Sequence, residues 1–234
     1  NSFGDSSGTQ VVNEDATNTV NASGNWWGSN TEAGVLAATT GLVDFTPFLD
    51  SGIDNDGGAV GFVGDFSLLY VTVLGSQVGA TGRVQESVDE VDDGGDVFLF
   101  DGTYTDSVEI DSKGLTLTGE SEAGVIVQAI DSGTAAVSGP SASNVFTIGG
   151  ASEIEGNILI QEMTIQNGTY GIRSLSGNTS VMNTTVIHNG WNGLNMPDPT
   201  LPGAQAAFAA FFASSAASSG SPTSMSSRTT RRGS

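Results

Sequence analysis

Two stretches of this chain repeat each other. Residues 157–172 (NILIQEMTIQNGTYGI) and 179–194 (TSVMNTTVIHNGWNGL) align at an offset of 22 residues. Ile165 falls on Ile187, Asn167 on Asn189, Gly168 on Gly190, Gly171 on Gly193 and Ile172 on Leu194. Apolar residues matching at strand positions, with Asn and Gly matching at turns, indicate a structural repeat. A unit of this length holds about three short strands with tight turns. Coiled units stack each strand ~4.8 Å above its counterpart, in parallel. In that register Asn167 and Asn189 stack at one turn and link their amides. The leucine-rich repeat has a similar period, but its Leu spacing is absent.

Composition narrows the choice further. The 234 residues include 33 Gly and no Cys, with 26 acidic residues against 6 basic ones and a net charge of −20. Without Cys there is no disulfide framework and no thiolate metal site. The glycines lack a three-residue period, which excludes collagen, and their abundance suits a turn-rich all-β protein. Nucleic-acid binding needs clustered Lys and Arg, and outside the last seven residues the chain holds only three basic residues, so it is not expected. No apolar run approaches the ~18 residues of a membrane span, so membrane insertion is not expected. A 37% apolar share argues against wholesale disorder. Up to Asp198, the last acid, only Arg83, Lys113 and Arg173 oppose the acidic residues. Such a surface repels polyanions and attracts divalent cations. The acidity fits solubility alone or a salt-rich habitat. Asn1 is not an initiator Met and no signal peptide follows it, so a mature or internal fragment is expected.

The chain divides by texture. Residues 9–13 and 17–22 read as short strands, followed by a polar turn around Trp26 and Trp27. Residues 53–81 form an Asp/Gly-rich linker with one strand inside FSLLYVTVL. Residues 81–96 predict a helix capped by Thr81, with Val84, Val88 and Val91 on one face and Gly94 as its stop. Short strands and turns fill 96–130. Residues 197–220 are Ala-rich with Phe208 and Phe211 at helical spacing, a short helical insertion. Residues 221–234 are polar and basic, a disordered tail, and their contrast with the rest suggests non-native sequence such as a shifted reading frame.

The segment GRVQESVDEVDDGGDVFLFDGTYTDSVEIDSKGLTLTGE resembles the opening of right-handed parallel β-helix proteins of the pectin-lyase-like superfamily. Those begin with a capping helix, a Gly-Asp-x-Val strand, a Gly-Thr-Tyr turn and a Leu-Thr-Leu-x-Gly strand. The resemblance covers residues 82–196. GNWWGS followed by VDFTPFLDSG resembles the closing coil of other β-helix domains from large secreted proteins, which would make residues 1–52 the C-terminal end of an upstream β-helix. The expected fold is therefore all-β: a right-handed single-stranded parallel β-helix of about 22-residue coils, with an N-terminal capping helix and a short C-terminal helical insertion. Val97, Leu99, Leu115, Leu117, Ile165, Ile172, Ile187 and Leu194 are its expected core.

The resemblance implies a fold more than a function, because this superfamily hosts lyases, hydrolases, esterases, adhesins and surface proteins. Its enzymes act on acidic polysaccharides with Asp, Lys or Arg on neighbouring coils of one sheet. In the 22-residue register Arg173 falls on Asn195, His188 on Gln166 and Glu162 on Thr184, so no acid–base couple emerges, and Glu153 and Glu155 lie ahead of the repeat. No catalytic residue is assigned. Trp26 and Trp27 read either as a sugar-stacking platform or as a cap over the core, and the resemblance favours the cap. Tyr170 and Trp191 occupy neighbouring turns and are the candidate carbohydrate contacts. Asp54, Asp56 and Asp65 in the Gly-rich loop are the candidate metal ligands, for Ca²⁺, set against a plain solvated linker. The sequons at Asn21, Asn167, Asn178 and Asn183 are expected by chance. The functional expectation is an extracellular or cell-surface scaffold contacting polysaccharide or matrix. A polysaccharide-active enzyme and a purely structural stalk are the alternatives.

Overall fold

The structure is a computed structural model that describes residues 1–4, 8–58, 60–130, 143–150, 152, 154–187, 189 and 194–195. This part of the chain is predominantly β. The expected helical insertion at 197–220 and the tail at 221–234 lie outside the described residues.

The N-terminal segment pairs its short strands in parallel. Strands β1 (Val11–Val12) and β2 (Val20–Asn21) precede helix α1 (Glu32–Ala37), which the sequence did not announce. The Thr31 side chain caps that helix by accepting from Gly34 N. Strands β3 (Thr39–Thr40) and β4 (Val43–Asp44) return beside β1 and β2. Trp27, Val35, Val43, Phe45 and Phe48 form a core here. Strand β5 (Phe48–Leu49) then runs antiparallel to β6 (Leu68–Val71), so the expected linker supplies a sheet strand.

Helix α2 (Arg83–Glu90) and strands β7 (Asp96–Leu99), β8 (Gly102–Thr105) and β9 (Val108–Ile110) follow. The next pass of the chain supplies β10 (Leu115–Gly119), β11 (Val125–Gln128) and β12 (Phe146–Ile148). Then come β13 (Asn157–Gln166) and β14 (Ile172–Ser174), and finally β15 (Asn178–Ile187) and β16 (Leu194–Asn195). Each pass lays its strands parallel to those of the pass before. Leu69, Val97, Leu117, Ile160 and Val181 share one register, and all are buried. Tyr104, Val127, Ile165 and Val186 share a second, and Val108, Phe146, Ile172 and Leu194 a third. Period-two alternation drives this: in LTLTG both leucines are buried and the threonines face out. The strands fall into four sheets, one of them mixed through the antiparallel β5–β6 pair.

The repeat register differs from the expected one. Along β13 and β15 the offset is 21 residues, so Ile165 pairs with Val186, not with Ile187. It becomes 22 only at Ile172 and Leu194. A one-residue slip turns every side chain to the other face. Ile187 is accordingly 39% exposed rather than in the core. Asn167 and Asn189 do not join amide to amide either. Asn189 accepts from Gly168 N at 2.8 Å and donates to Ile187 O at 2.9 Å, while Asn167 donates to Gln128 Oε1 at 3.2 Å. The long strands bend at Glu162 (φ 56°) and Asn183 (φ 43°), which correspond at the offset of 21 and share a 2.7 Å hydrogen bond. Gly119 lies against this bend, where a Cβ would meet Glu162 O at 2.0 Å.

Helix α2 covers the start of the stack. Val84 and Val88 are buried on it, as is Val91 just beyond, on the face the spacing predicts. The cap is not Thr81, however. Gly82 holds the N-cap position, and Asp106, from the turn between β8 and β9, accepts from Gln85 N at 3.0 Å. Lys113 closes the other end, donating to Val91 O at 2.6 Å and Asp89 O at 3.1 Å. The Gln85 side chain accepts from Glu109 N and donates to Glu109 O, occupying the ladder positions a further strand would take beside β9.

Candidate functional site

Each outward column is built by one position of successive strands, ~4.8 Å apart. On β7, β10, β13 and β15 the columns read Asp96, Thr116, Leu159, Ser180 and Phe98, Thr118, Gln161, Met182. On β8, β11, β13 and β15 they read Thr103, Ile126, Thr164, Thr185 and Thr105, Gln128, Gln166, Ile187. Side chains bond along them. Gln128 donates to Thr105 at 3.1 Å, Gln166 to Gln128 at 3.4 Å and Gln161 to Thr118 at 3.0 Å. These columns mix hydroxyls and amides with the apolar Phe98, Ile126, Leu159, Met182 and Ile187, and Asp96 is the one charge in them.

The third face carries the remaining test for acid–base chemistry. Its column is Glu109, Thr147, Arg173, Asn195. The pairing of Arg173 with Asn195 is the expected one. Thr147 separates Arg173 from Glu109, so no acid lies on a strand adjacent to the arginine in this column. Glu162 accepts from Asn183, the residue at its own level, rather than matching Thr184. Glu155 is exposed, and His188 and Glu153 lie outside the described residues.

Of the candidate carbohydrate contacts, Tyr170 is half-buried ahead of β14, and its carbonyl accepts from Val145 N at 3.0 Å. Trp191 lies outside the described residues. Trp27 is 2% exposed and packs on Phe3 at 4.7 Å and Phe45 at 6.4 Å, a core wall rather than a platform. Asp54, Asp56 and Asp65 each serve a local turn. Asp54 accepts from Asp56 N and Val63 N, both at 3.1 Å, and Asp56 from Gly58 N at 3.3 Å. Asp65 accepts from the Ser67 side chain and backbone, and these bonds hold its carboxyl below the usual range. Among the described residues no three acids or histidines gather as a cation site would require.

Three features escaped the sequence reading. Phe48, Tyr70 and Phe100 stack, and Phe98 packs edge-on to Phe100 and tilted to Tyr70, at centroid distances of 5.3–6.3 Å where β5 and β6 meet the first pass. The alternation of Phe98 and Phe100 in DVFLF was the available signal. Beside them a cleft of about 330 Å³ is lined by Arg83, Tyr104 and Asp106. Its polar groups already hold the backbone. Arg83 donates to the carbonyls of Thr72, Leu74 and Gly75 at 2.8–3.1 Å. The Tyr104 hydroxyl lies 2.7 Å from Phe100 O and 3.0 Å from Val71 O, and burial pushes its pKa well up. Third, Asp44 on β4 and Glu86 and Glu90 on α2 lie near enough to repel one another without forming a joint site. Burial raises the pKa of each, and the neighbouring carboxylates raise those of Glu86 and Glu90 further.

No helix among the described residues is long and apolar enough to cross a membrane. Comparison with family models, with curated proteins and with solved structures returns no match.

Proposed function

We propose that this chain belongs to an extracellular or cell-surface protein in which a right-handed parallel β-helix, of the pectin-lyase-like kind, acts as an elongated scaffold for carbohydrate contact. The in-register parallel passes and the end-covering helix α2 support the β-helix reading. One observation carries contact over turnover. The outward columns present Thr and Gln side chains at strand spacing, with apolar residues between them, and the charges among them stand alone. Hydroxyls and amides bind sugar hydroxyls. Hydrolysis or elimination needs a paired acid and base, or a cation, at one place. The overall charge of −20 favours a neutral polysaccharide over an acidic one.

The test is a glycan array with and without Ca²⁺, paired with a product assay on acidic polysaccharides. Retention of neutral glycans without product, unaffected by Ca²⁺, is the expected result. Release of unsaturated or reducing-end products would overturn it and return attention to Arg173 and Glu162. The stalk alternative keeps one observation of its own: Gln128, Gln166 and Thr105 already bond to one another along the stack, which stiffens it without any ligand. Silence in both assays selects that alternative.

A further inference from the structure

Helix α2 meets the N-terminal segment through carboxylates, and the arrangement lacks protons. Glu90 is the last residue of α2, with no basic residue in that final turn. The negative end of a helix disfavours an ionised carboxylate there. Its Oε2 is enclosed and has no hydrogen-bond partner. That oxygen lies over Gly24, 3.4 Å from where a Cβ would stand, close to the Phe66 ring. An enclosed carboxylate oxygen facing backbone and an aromatic ring is costly when ionised and tolerable when protonated.

The groups around it supply no compensating cation. On α2 itself Glu86 and Asp89 repel it, and from β4 Asp44 does the same. The turn holding Gly24 contributes the neutral Ser23, whose hydroxyl donates to Asn21 Oδ1 at 2.8 Å. Gln77 also donates to Glu86, at 3.0 Å, but the Gln77 Oε1 is a second enclosed acceptor without a donor. Arg83 acts on Glu86 and Asp44, yet its guanidinium donates to three carbonyls. Lys113 donates to the carbonyls of Asp89 and Val91 at the helix end.

We propose that the contact between α2 and the turn at Gly24 is operated by a proton: it closes with Glu90 protonated and loosens when Glu90 ionises. The carboxyl is pushed up to about 7 from an ordinary 4.5, first by burial and then by Glu86, Asp89 and Asp44. The sign follows from linkage. A carboxyl whose pKa is higher in the closed state favours that state most below the open-state value. This advantage is lost as pH rises from about 4.5 to about 7 and does not change further above that. The contact is thus tight in mildly acidic surroundings and weakest from neutrality upward. This does not depend on what the outer faces bind.

The experiment is amide hydrogen exchange on the full chain between pH 5 and 8, corrected for intrinsic rates, read at residues 20–26 and 84–91. For the unmodified chain the opening constant rises with pH, by at most about ten-fold per unit, and levels off near 7. Glu90→Gln, which keeps the shape of the protonated group, is expected to flatten the profile at its low-pH level. Glu86→Gln is expected to move the plateau to lower pH, because one repelling charge is gone. An E90Q profile as steep as the original overturns the proposal. Should E90Q fail to fold, carboxyl ¹³C titration of the unmodified chain decides: a Glu90 midpoint near 4.5 overturns the proposal, and one near 7 supports it.

Discussion

The substitution Gly82→Ala is expected to be far more harmful than its place in the sequence suggests. Gly82 has φ −71°, which any residue adopts, so no backbone strain is involved. What it meets is the Asp106 carboxyl, whose three atoms lie 2.1–2.2 Å from where a Cβ would stand. Asp106 is 3% exposed and accepts from Gln85 N at 3.0 Å, Ser107 N at 2.8 Å and Val84 N. A methyl group at residue 82 must push that carboxyl off its donors. Losing an N-cap costs ~1 kcal/mol, and each buried donor left unmade adds about 1–3 kcal/mol. The adjoining cleft admits water, which offsets part of this. We estimate ~2–3 kcal/mol for Gly82→Ala and a similar loss for Asp106→Ala.

The two losses must not add. Once Asp106 is alanine nothing remains for the new methyl group to displace, so the double variant should match Asp106→Ala alone, within ~0.5 kcal/mol. Urea unfolding of the four chains of this cycle measures it. For a chain of this size each kcal/mol also shifts Tm by about 2–4 °C, so each single variant should melt about 4–12 °C lower. A neutral Gly82→Ala, or a double variant as unstable as the sum of the singles, would refute the assignment of Asp106 as the cap of α2.

Two further outcomes follow from register and burial. Ile165→Ala should cost about 2–5 kcal/mol and Ile187→Ala under ~1 kcal/mol, because the offset of 21 places only Ile165 inside; equal losses in denaturant unfolding would favour the offset of 22. Tyr104→Phe should cost ~1 kcal/mol, since it removes the donor from Phe100 O while Val71 O still accepts from Phe100 N; an unchanged Tm would show that water replaces the hydroxyl.

Much of the fold was legible wherever one residue's environment follows from its immediate neighbours. The valines of α2 sit at helical spacing, and Leu115, Leu117 and Ile165 alternate with polar residues, as Val97 and Leu99 do with outward phenylalanines; all five are buried, as are the three valines and Ile172. Where structure depends on distant partners, the sequence was silent. Thr81 is a good cap by composition, but the acceptor that α2 uses comes from Asp106 on the first pass. The register slipped because six residues separate Ile187 from Leu194 where five separate Gln166 from Ile172, so an alignment anchored on the Gly residues of that turn carries one residue too many into the strands. An apolar match of Ile165 to Ile187 was thus preferred over the true partner Val186, though both are β-branched. The site suffered most. Aromatic residues in turns drew attention to Tyr170 and Trp191, while the larger cluster at Tyr70, Phe98 and Phe100 forms only when β5, β6 and β7 come together.

The acidity also reads differently once its position is known. Many of the carboxylates are turn acceptors. Asp15 takes Thr17 N at 2.8 Å, Asp93 takes Gly114 N at 2.9 Å, and Glu120 takes Asp101 N at 3.0 Å. A carboxylate satisfies a turn N–H better than a neutral acceptor and keeps its second oxygen in water. Turns recur on every pass, so stacked passes gather negative charge at their corners and leave the sheet faces to Thr, Gln and apolar residues. Part of the charge of −20 is therefore an outcome of how the corners are closed. Where carboxylates come from separate elements instead, as Asp44, Glu86 and Glu90 do, no turn N–H meets the Glu90 oxygen that is enclosed. That is why a proton, and not another hydrogen bond, is left to settle the contact between α2 and the N-terminal segment.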